Sequence, residues 1–162
     1  WGIRADVHVT NYDGNIIDAA CIGVMAGLLH FRRPDIEVKE GQVTVFGLDE
    51  RVPVPLTITH RPLAITFHIF HEGRVMIVDA TRKEELASEG HLIIALNTTG
   101  ETCALYKSAG NPVSAIEVVN KTALALQKIK EINAVIDKAL QADLSKRAKR
   151  DRGAEAAAEN DR

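Results

Sequence analysis

Histidine side chains are the first candidates for chemistry in this chain. His68 and His71 lie three residues apart, and on a strand that spacing points the two rings to opposite faces, which disfavours a shared metal ion. The remaining histidines are scattered, and we interpret them as surface groups or as core groups with hydrogen-bond partners: His8, His30, His60 and His91. This pattern predicts no metal site and no cofactor.

Carboxylates form two further candidate groups. Asp13 and Asp18 in the segment DGNIID could pair as general acid and base. A structural role is favoured, because Asp13 before Gly14 suits a turn and Asp18 suits the N-terminal end of a helix dipole. The second group surrounds a short predicted helix, and we interpret it as a solvated face: Asp79, Glu84, Glu85 and Glu89.

The motifs of nucleotide-binding and hydrolytic enzymes do not occur in this sequence. G-x-x-x-x-G-K-[ST], G-x-G-x-x-G, H-E-x-x-H and G-x-S-x-G are all missing. A basic cluster near the end could contact RNA phosphates or act as a nuclear-import signal, although a solvated helix end is favoured because Asp151 is interleaved and aromatic residues are lacking. Its members are Lys146, Arg147, Lys149, Arg150 and Arg152.

Composition predicts a globular chain with an ordinary core. The 162 residues are 46% hydrophobic, and the formal net charge of -2 gives no overall attraction to nucleic acid. The longest nearly uncharged run, Ile16 to Leu29, is shorter than the roughly 20 residues of a membrane span, so no membrane association is expected. Cys21 and Cys103 are predicted to be reduced, buried thiols of an intracellular protein.

The hydrophobic pattern of residues 62–144 predicts one structural unit with the element order strand, strand, helix, strand, strand, helix. Leu63 to Phe70 alternates like a strand with one buried face, and Val75 to Val78 is typical of a strand buried on both faces. A second hairpin is predicted at Leu92 to Leu96 and Thr102 to Tyr106, around Thr99-Gly100. The order requires a sheet covered by helices, which is an α+β fold.

Two capping boxes mark the helices of this unit. Thr81 and Glu84 start a short helix that Gly90 is expected to end, and Ser114 and Glu117 start a long one. The long helix is predicted to bury one stripe on the sheet, formed by Val119, Leu126, Ile129, Ile132, Ile136 and Leu140.

Residues 1–46 predict an incomplete structural unit. A strand is expected over Ile3 to Val9, then a turn, then a helix from Ile16 that Pro34 ends, and an exposed hairpin around Glu40-Gly41. The helix is apolar nearly all round, so we expect it to be buried between other layers, with Ala20, Gly23 and Gly27 admitting a close neighbour. We predict a linker at 47–61, a second domain at 62–145, and a charged, disordered tail at 146–162.

Several long blocks make the chain resemble a known family. HVTNYDGNIIDAACIGVMAGLLHFRRP, VPVPLTITHRPLAITF and VDATRKEELASEGHLIIALN occur in the order found in RNase PH-like subunits of the RNA exosome, most of all the ribosomal RNA-processing protein 45 type, the PM/Scl autoantigen family. The resemblance implies the C-terminal part of a ribosomal-protein-S5-like domain, followed by an RNase PH C-terminal-like domain with helices on a mixed sheet. It also implies that the N-terminal half of the first domain is not in this sequence.

Phosphorolytic members of that family carry two active-site aspartates six residues apart, beside a phosphate-binding arginine. Laid on this sequence, the aspartates would fall near Glu84 and Gly90, and glycine cannot transfer a proton. Glu89 is next to the second position, but a shift of one residue redirects a side chain. The resemblance therefore implies no catalytic residue, and it leaves the RNA-contacting residues unassigned.

The leading hypothesis is a non-catalytic structural subunit of the exosome ring. It would support 3'-to-5' RNA processing and degradation, including rRNA maturation and mRNA decay, in the nucleus, nucleolus and cytoplasm. Its partners would be the other RNase PH-like subunits of a hetero-hexameric ring, S1/KH cap subunits, a catalytic nuclease and RNA. The alternatives are a phosphorolytic 3'-to-5' exoribonuclease using Glu84 and Glu89, and an RNA-binding module using the basic cluster.

Overall fold

The computed structural model describes residues 2–47 and 50–160, with side chains up to Arg147. It contains three helices and eight strands in those ranges. In chain order they are α1 Ile16–His30, β1 Arg32–Arg33, β2 Ile36–Lys39, β3 Gln42–Val45, β4 Val54–Pro55, β5 Leu63–Phe70, β6 Val75–Val78, α2 Arg82–Ala87, β7 Gly90–Leu96, β8 Thr102–Lys107 and α3 Ala115–Asn160. No described helix is both long and apolar enough to cross a membrane.

The main sheet has the strand order β6-β5-β7-β8, and every pair in it is antiparallel. The α+β fold and the element order of residues 62–144 are confirmed. The prediction of a mixed sheet is wrong, because β6 and β7 lie on opposite sides of β5 and both run against it.

The two strands of the first hairpin have the opposite burial from that predicted. β5 is buried on both faces, whereas β6 is partly exposed along its whole length. β5 lies between two strands and under helices α1 and α3, and β6 lies at the sheet edge. Position in the sheet, rather than apolar content, sets these exposures.

The hydrophobic core lies between the sheet and the helices α1 and α3. Its fully buried side chains come mainly from the two central strands and one stripe of α3: Leu63, Phe67, Ile69, Leu92, Ile94, Leu96 and Ile129. The predicted stripe of α3 is confirmed at most positions, but Val119 is 67% exposed, and Ala125 takes a core position instead.

Both predicted capping boxes are present. Thr81 and Glu84 exchange side-chain and backbone hydrogen bonds at the start of α2, as do Ser114 and Glu117 before α3. Helix α2 ends at Ala87, before Gly90, which is the first residue of β7. The backbone of α3 is helical to Asn160, whereas a disordered tail is predicted over 146–162; the alanine-, lysine- and glutamate-rich end has high intrinsic helix propensity.

Residues 2–9 are extended and exposed, and they pair with no strand among the described residues, so the predicted strand at Ile3 to Val9 is wrong. Alternation alone cannot make a strand without a partner. Helix α1 is also less buried than predicted. One side packs on β5 and α3, and the side carrying Ala20, Gly23 and Gly27 borders a groove of about 870 Å³.

The β2–β3 hairpin around Glu40-Gly41 is confirmed, and β4 within the predicted linker pairs with β1. Arg32 donates to the carbonyl oxygens of Leu29, His30 and Phe31, so its guanidinium satisfies backbone acceptors at the C-terminus of α1. Both cysteines are free, but Cys103 is exposed because β8 is an edge strand, so its predicted burial is wrong. Cys21 is half-buried.

Candidate functional site

The loop before α1 is fixed against the start of α2. The carbonyl oxygen of Asp13 accepts a hydrogen bond of 3.1 Å from the backbone nitrogen of Arg82. Gly14 has φ +96°, and a Cβ there would lie 2.1 Å from the carbonyl oxygen of Ala80, so only glycine allows this approach. The predicted turn at Asp13 is therefore confirmed, and it brings Tyr12 and Asn15 beside α2.

Two histidines meet on one face of the central strands. His68 of β5 and His91 of β7 are direct partners in the antiparallel register, and their ring centroids are 5.9 Å apart. Directly opposite residues of an antiparallel pair point to the same face. His68 is therefore the neighbour of His91 and not of His71, which lies in the exposed turn after β5.

These loop, strand and helix residues enclose a cavity of about 340 Å³. Its wall combines ionisable, polar and apolar side chains: Tyr12, Asn15, Ile16, Ile17, Thr66, His68, Glu85, Ser88 and His91. Tyr12 and Ile17 are 40% and 47% exposed, so the cavity opens to the surface beside them. We call it the His68 cavity.

Glu85 is the acidic group of the His68 cavity. Its carboxylate accepts hydrogen bonds from the Tyr12 hydroxyl at 2.5 Å and from the backbone nitrogen of Asn15 at 2.8 Å. Burial alone would raise the pKa of Glu85, but these two bonds and the nearby histidines hold it below its ordinary value. The same Tyr12 bond raises the pKa of the phenol. At neutral pH the cavity therefore contains a carboxylate and a protonated tyrosine.

The polar groups around Glu85 are incompletely paired. His68 Nε2 lies 3.7 Å from Glu85 Oε1, which is too long for a hydrogen bond, and neither ring nitrogen of His68 has a partner among the described residues. The side-chain oxygen of Asn15 is likewise buried without a partner there. His91 contacts the hydroxyl of Ser108 at 3.1 Å, and burial lowers its pKa.

Asp18 lies behind the cavity wall and is buried. Its two oxygens accept hydrogen bonds from the backbone nitrogen of Thr66 at 2.9 Å and from the Thr66 hydroxyl at 2.7 Å. Burial raises the pKa of this carboxyl, although the Thr66 bonds oppose the rise. Asp18 is in the first turn of α1 as predicted, and the structure adds a role that its position in the sequence did not indicate, joining α1 to β5.

The residues predicted near the family's acidic pair do not form a site. The Glu84 carboxylate bonds the backbone and hydroxyl of Thr81, and the Glu89 carboxylate accepts from the backbone nitrogen of Glu72 at 3.0 Å. At Gly90 a Cβ would lie 1.9 Å from the carbonyl oxygen of Ala109, so no larger side chain fits. The spacing of six is met one residue later, by Glu85 and His91, which both line the His68 cavity.

The solvated face predicted around α2 is therefore only partly correct. Glu84 and Glu89 are exposed, but Glu85 is half-buried in the cavity, and Asp79 accepts a hydrogen bond from the Asn15 side chain at 3.1 Å. Sequence reasoning missed Tyr12, Asn15 and His91. The Asp13-Gly14 turn could have indicated that its neighbours Tyr12 and Asn15 approach another element. No local pattern could have indicated His91, because it reaches the cavity only through the pairing of β7 with β5.

The scattered histidines have separate environments. His30 bonds Asp143 of α3 at 3.1 Å, and His8 and His60 are exposed. No three His, Cys, Asp or Glu side chains within the described ranges are arranged to hold a metal ion. Of the basic cluster, Arg147 pairs with Asp143, Lys146 is exposed, and the side chains of Lys149, Arg150 and Arg152 lie outside the described ones.

Two segments of the chain match the two domains of one protein family. Residues 1–34 match domain 1 of the 3' exoribonuclease family, and residues 60–128 match domain 2 of the same family. The chain is 44% identical over 147 residues to "Exosome complex component rrp45" of Schizosaccharomyces pombe, covering 91% of this chain and 50% of that protein. It is 43% identical over 143 residues to "Exosome complex component RRP45" of Danio rerio, covering 88% and 36%.

A solved structure supports the same fold. The exosome of Archaeoglobus fulgidus, with RNA bound to the active site, contains a chain that superposes with a TM-score of 0.58 at 18% sequence identity, covering 76% of this chain and 44% of that one. This chain spans half or less of the length of these relatives. The resemblance to RNase PH-like exosome subunits is confirmed. Since the two domain matches together cover more than half of its residues, the chain belongs to the 3' exoribonuclease family of RNase PH-like proteins.

Proposed function

We propose that this chain belongs to a structural subunit of an RNA exosome ring and does not itself catalyse phosphorolysis. In this role it supports 3'-to-5' RNA processing and degradation, including rRNA maturation and mRNA decay. The exosome components among its relatives and the archaeal exosome fold support ring membership. Ring closure by unlike subunits requires complementary contact surfaces, which a structural member can supply without an active site.

One observation supports the non-catalytic role above the others. The carboxylates predicted near the acidic pair are engaged in local backbone contacts, and the second position has no room for a side chain. The cavity that does form contains the carboxylate of Glu85 and, among the described residues, no lysine or arginine. A phosphate anion there would face a negative charge without a cation to offset it.

The proposed partners are other RNase PH-like subunits in a hetero-hexameric ring, S1/KH cap subunits, a catalytic nuclease and RNA. The proposed locations are the nucleus, nucleolus and cytoplasm, where those processing and decay reactions occur. The basic cluster as an RNA contact stays a prediction, since most of its side chains lie outside the described ones.

Assembly and activity can be tested together. We expect the protein, co-expressed with RNase PH-like ring subunits of its source, to elute with them as one hetero-oligomer. The purified protein alone should release no nucleoside diphosphates from RNA when phosphate is added. Failure to enter the ring would remove the structural role, and phosphate-dependent release would remove the non-catalytic one.

Phosphorolysis is the second candidate function, and one observation favours it. Glu85 and His91 have the six-residue spacing of the family's acidic pair and line the same cavity. If phosphate-dependent release is found, Glu85→Gln should abolish it, whereas Glu89→Gln should leave it intact because Glu89 bonds the turn after β5. An equal loss in both variants would argue against a reaction at Glu85.

A further inference from the structure

The His68 cavity contains more buried hydrogen-bonding capacity than the protein itself uses. The His68 side chain is 6% exposed, and both of its ring nitrogens lack a partner among the described residues. The buried Oδ1 atom of Asn15 also lacks one there. Buried polar groups are nearly always hydrogen-bonded, so these two groups on one cavity wall have hydrogen-bonding capacity for a ligand or for water.

The free groups on this wall are mostly acceptors. Asn15 Oδ1 can only accept, and each carboxylate oxygen of Glu85 has accepting capacity beyond the bond that it already receives. A neutral His68 ring offers one acceptor and one donor. An occupant that satisfies the wall must therefore donate several hydrogen bonds.

Charge selects the same kind of occupant. Glu85 lines the cavity, its pKa is lowered, and Asp18 lies directly behind Thr66. Asp79 accepts a hydrogen bond from the Asn15 amide but does not line the cavity. Burial lowers the pKa of His91, so this ring does not offset the carboxylates at neutral pH. Arg82 near Tyr12 and Lys107 near His91 lie outside the lining, so the lining itself, with one carboxylate and, among the described residues, no lysine or arginine, favours a cation over an anion.

Size and access fit a small planar or tetrahedral group. The cavity volume of about 340 Å³ is that of roughly eleven waters at about 30 Å³ each, so one guanidinium or ammonium group can enter and leave room for water beside it. The phenol of Tyr12 stands at the opening and is itself partly exposed. Aromatic faces favour cations nearby, as the guanidinium of Arg82 over this ring at 5.4 Å illustrates.

We propose that the His68 cavity binds a cationic N–H donor, a guanidinium or primary ammonium group, with Glu85, Asn15 Oδ1 and His68 as its acceptors. Such a group comes either from an arginine or lysine side chain of a partner protein or from a free amine. The proposal goes beyond ring membership, since it assigns the cavity a ligand class whether or not the chain assembles.

Titration of the purified chain tests the ligand class directly. Methylguanidinium chloride, methylammonium chloride and sodium phosphate are added at matched ionic strength while the imidazole resonances of His68 and His91 are followed by NMR. We expect saturable shifts with at least one of the two cations in the millimolar range and none with phosphate. Saturation by phosphate would overturn the proposal. Absence of any response would also overturn it, because the cavity would then hold water only.

Variants locate the site. Glu85→Gln keeps the size and one acceptor but removes the charge, so cation affinity should fall about tenfold, as for loss of a charge-assisted hydrogen bond. Glu89→Gln is the matched control, because this nearby carboxylate bonds Glu72 and does not line the cavity. Equal affinity in Glu85→Gln and the wild type would overturn the assignment. If Glu85→Gln fails to fold, the wild-type comparison of cations with phosphate still decides.

The source of the cation is distinguished in the assembled ring. If a partner's arginine or lysine fills the cavity, the response of His68 and His91 to the added cation disappears on assembly. If a free amine is the ligand, the response persists with similar affinity. Binding by the isolated chain supports the proposal even when ring assembly fails, so its outcome is separable from that of the proposed function.

Discussion

Asp18 shows how one carboxylate can join two elements of this fold. It begins α1, yet both of its oxygens are used by Thr66 of the central strand β5. The side chain is 4% exposed within the chain, and no arginine or lysine contributes to its pKa. The ionised carboxylate is therefore stabilised by hydrogen bonds and opposed by burial.

Replacing Asp18 should separate its hydrogen bonds from its charge. Asp18→Asn can accept from the Thr66 nitrogen and donate to its hydroxyl, whereas Asp18→Ala leaves both groups unpaired and should cost about 1–3 kcal/mol per buried group. Burial raises the folded-state pKa above the ordinary 3.8, so the contribution of Asp18 to stability is complete below that value and is lost as pH rises through the folded-state pKa.

Urea unfolding of the wild type and both variants across this pH range checks the sign. The free energy of unfolding of the wild type relative to Asp18→Asn should decline as the pH rises. A flat difference would show that Asp18 has the same pKa in the folded and unfolded chains.

At the same scale, residue types were easier to predict than their partners. The turn at Asp13 and the two capping boxes follow from local spacing and are present. The family resemblance puts the acidic positions near Glu84 and Gly90, one residue before Glu85 and His91, which line the cavity. This one-residue offset depends on where α2 ends, at Ala87, and where β7 begins, at Gly90. Local sequence patterns do not determine these two boundaries.

At the scale of elements, the alternation in β5 and the apolar run in β6 predicted the reverse of their burial. β5 carries Thr66 and His68 on the face toward α1 and α2, and these polar side chains are buried because they lie beneath the loop and helices that form the cavity. β6 is apolar but has a neighbour on one side only. Sheet order is non-local information, so the pattern within one strand could not supply it.

Gly90 is predicted to be essential for the close approach of β7 to the backbone of the segment after β8. A Cβ at Gly90 would meet the backbone oxygen of Ala109 at 1.9 Å, and backbone atoms cannot move aside as a flexible side chain can. Gly90→Ala should therefore cost at least about 3 kcal/mol, the upper end of usual overpacking penalties. Chemical unfolding followed by circular dichroism measures the change.

The matched control for that substitution is Gly27→Ala in α1. No atom lies within 4 Å of the Cβ position at Gly27, so the substitution should stabilise the helix by about 0.5–1 kcal/mol through its higher helix propensity. If Gly90→Ala unfolds at the same urea concentration as Gly27→Ala, the close approach of Ala109 is not maintained in solution.

At the scale of the whole molecule, α3 spans the sheet and reaches the first part of the chain. Asp137 pairs with Arg61 at 2.7 Å, and Asp143 pairs with His30 at the end of α1. These exposed pairs contribute little energy each, so the shared core with β5 and β7 determines the position of α3. Helical periodicity predicted this stripe, and the pairing of α3 with α1 could not be predicted because it joins residues more than a hundred positions apart.

Removal of residues 148–162 should leave the stability of the remaining molecule unchanged. Among the described residues, the last α3 side chain packed against the core is Leu140. Residues 148–162 include no apolar side chain larger than alanine, so they can bury little apolar surface. Thermal unfolding should show the same midpoint with a smaller helical signal. Ile136→Ala in the same helix is the positive control, since this buried side chain should contribute about 2–5 kcal/mol. A truncation as damaging as Ile136→Ala would mean that the end of α3 packs on the body of the protein.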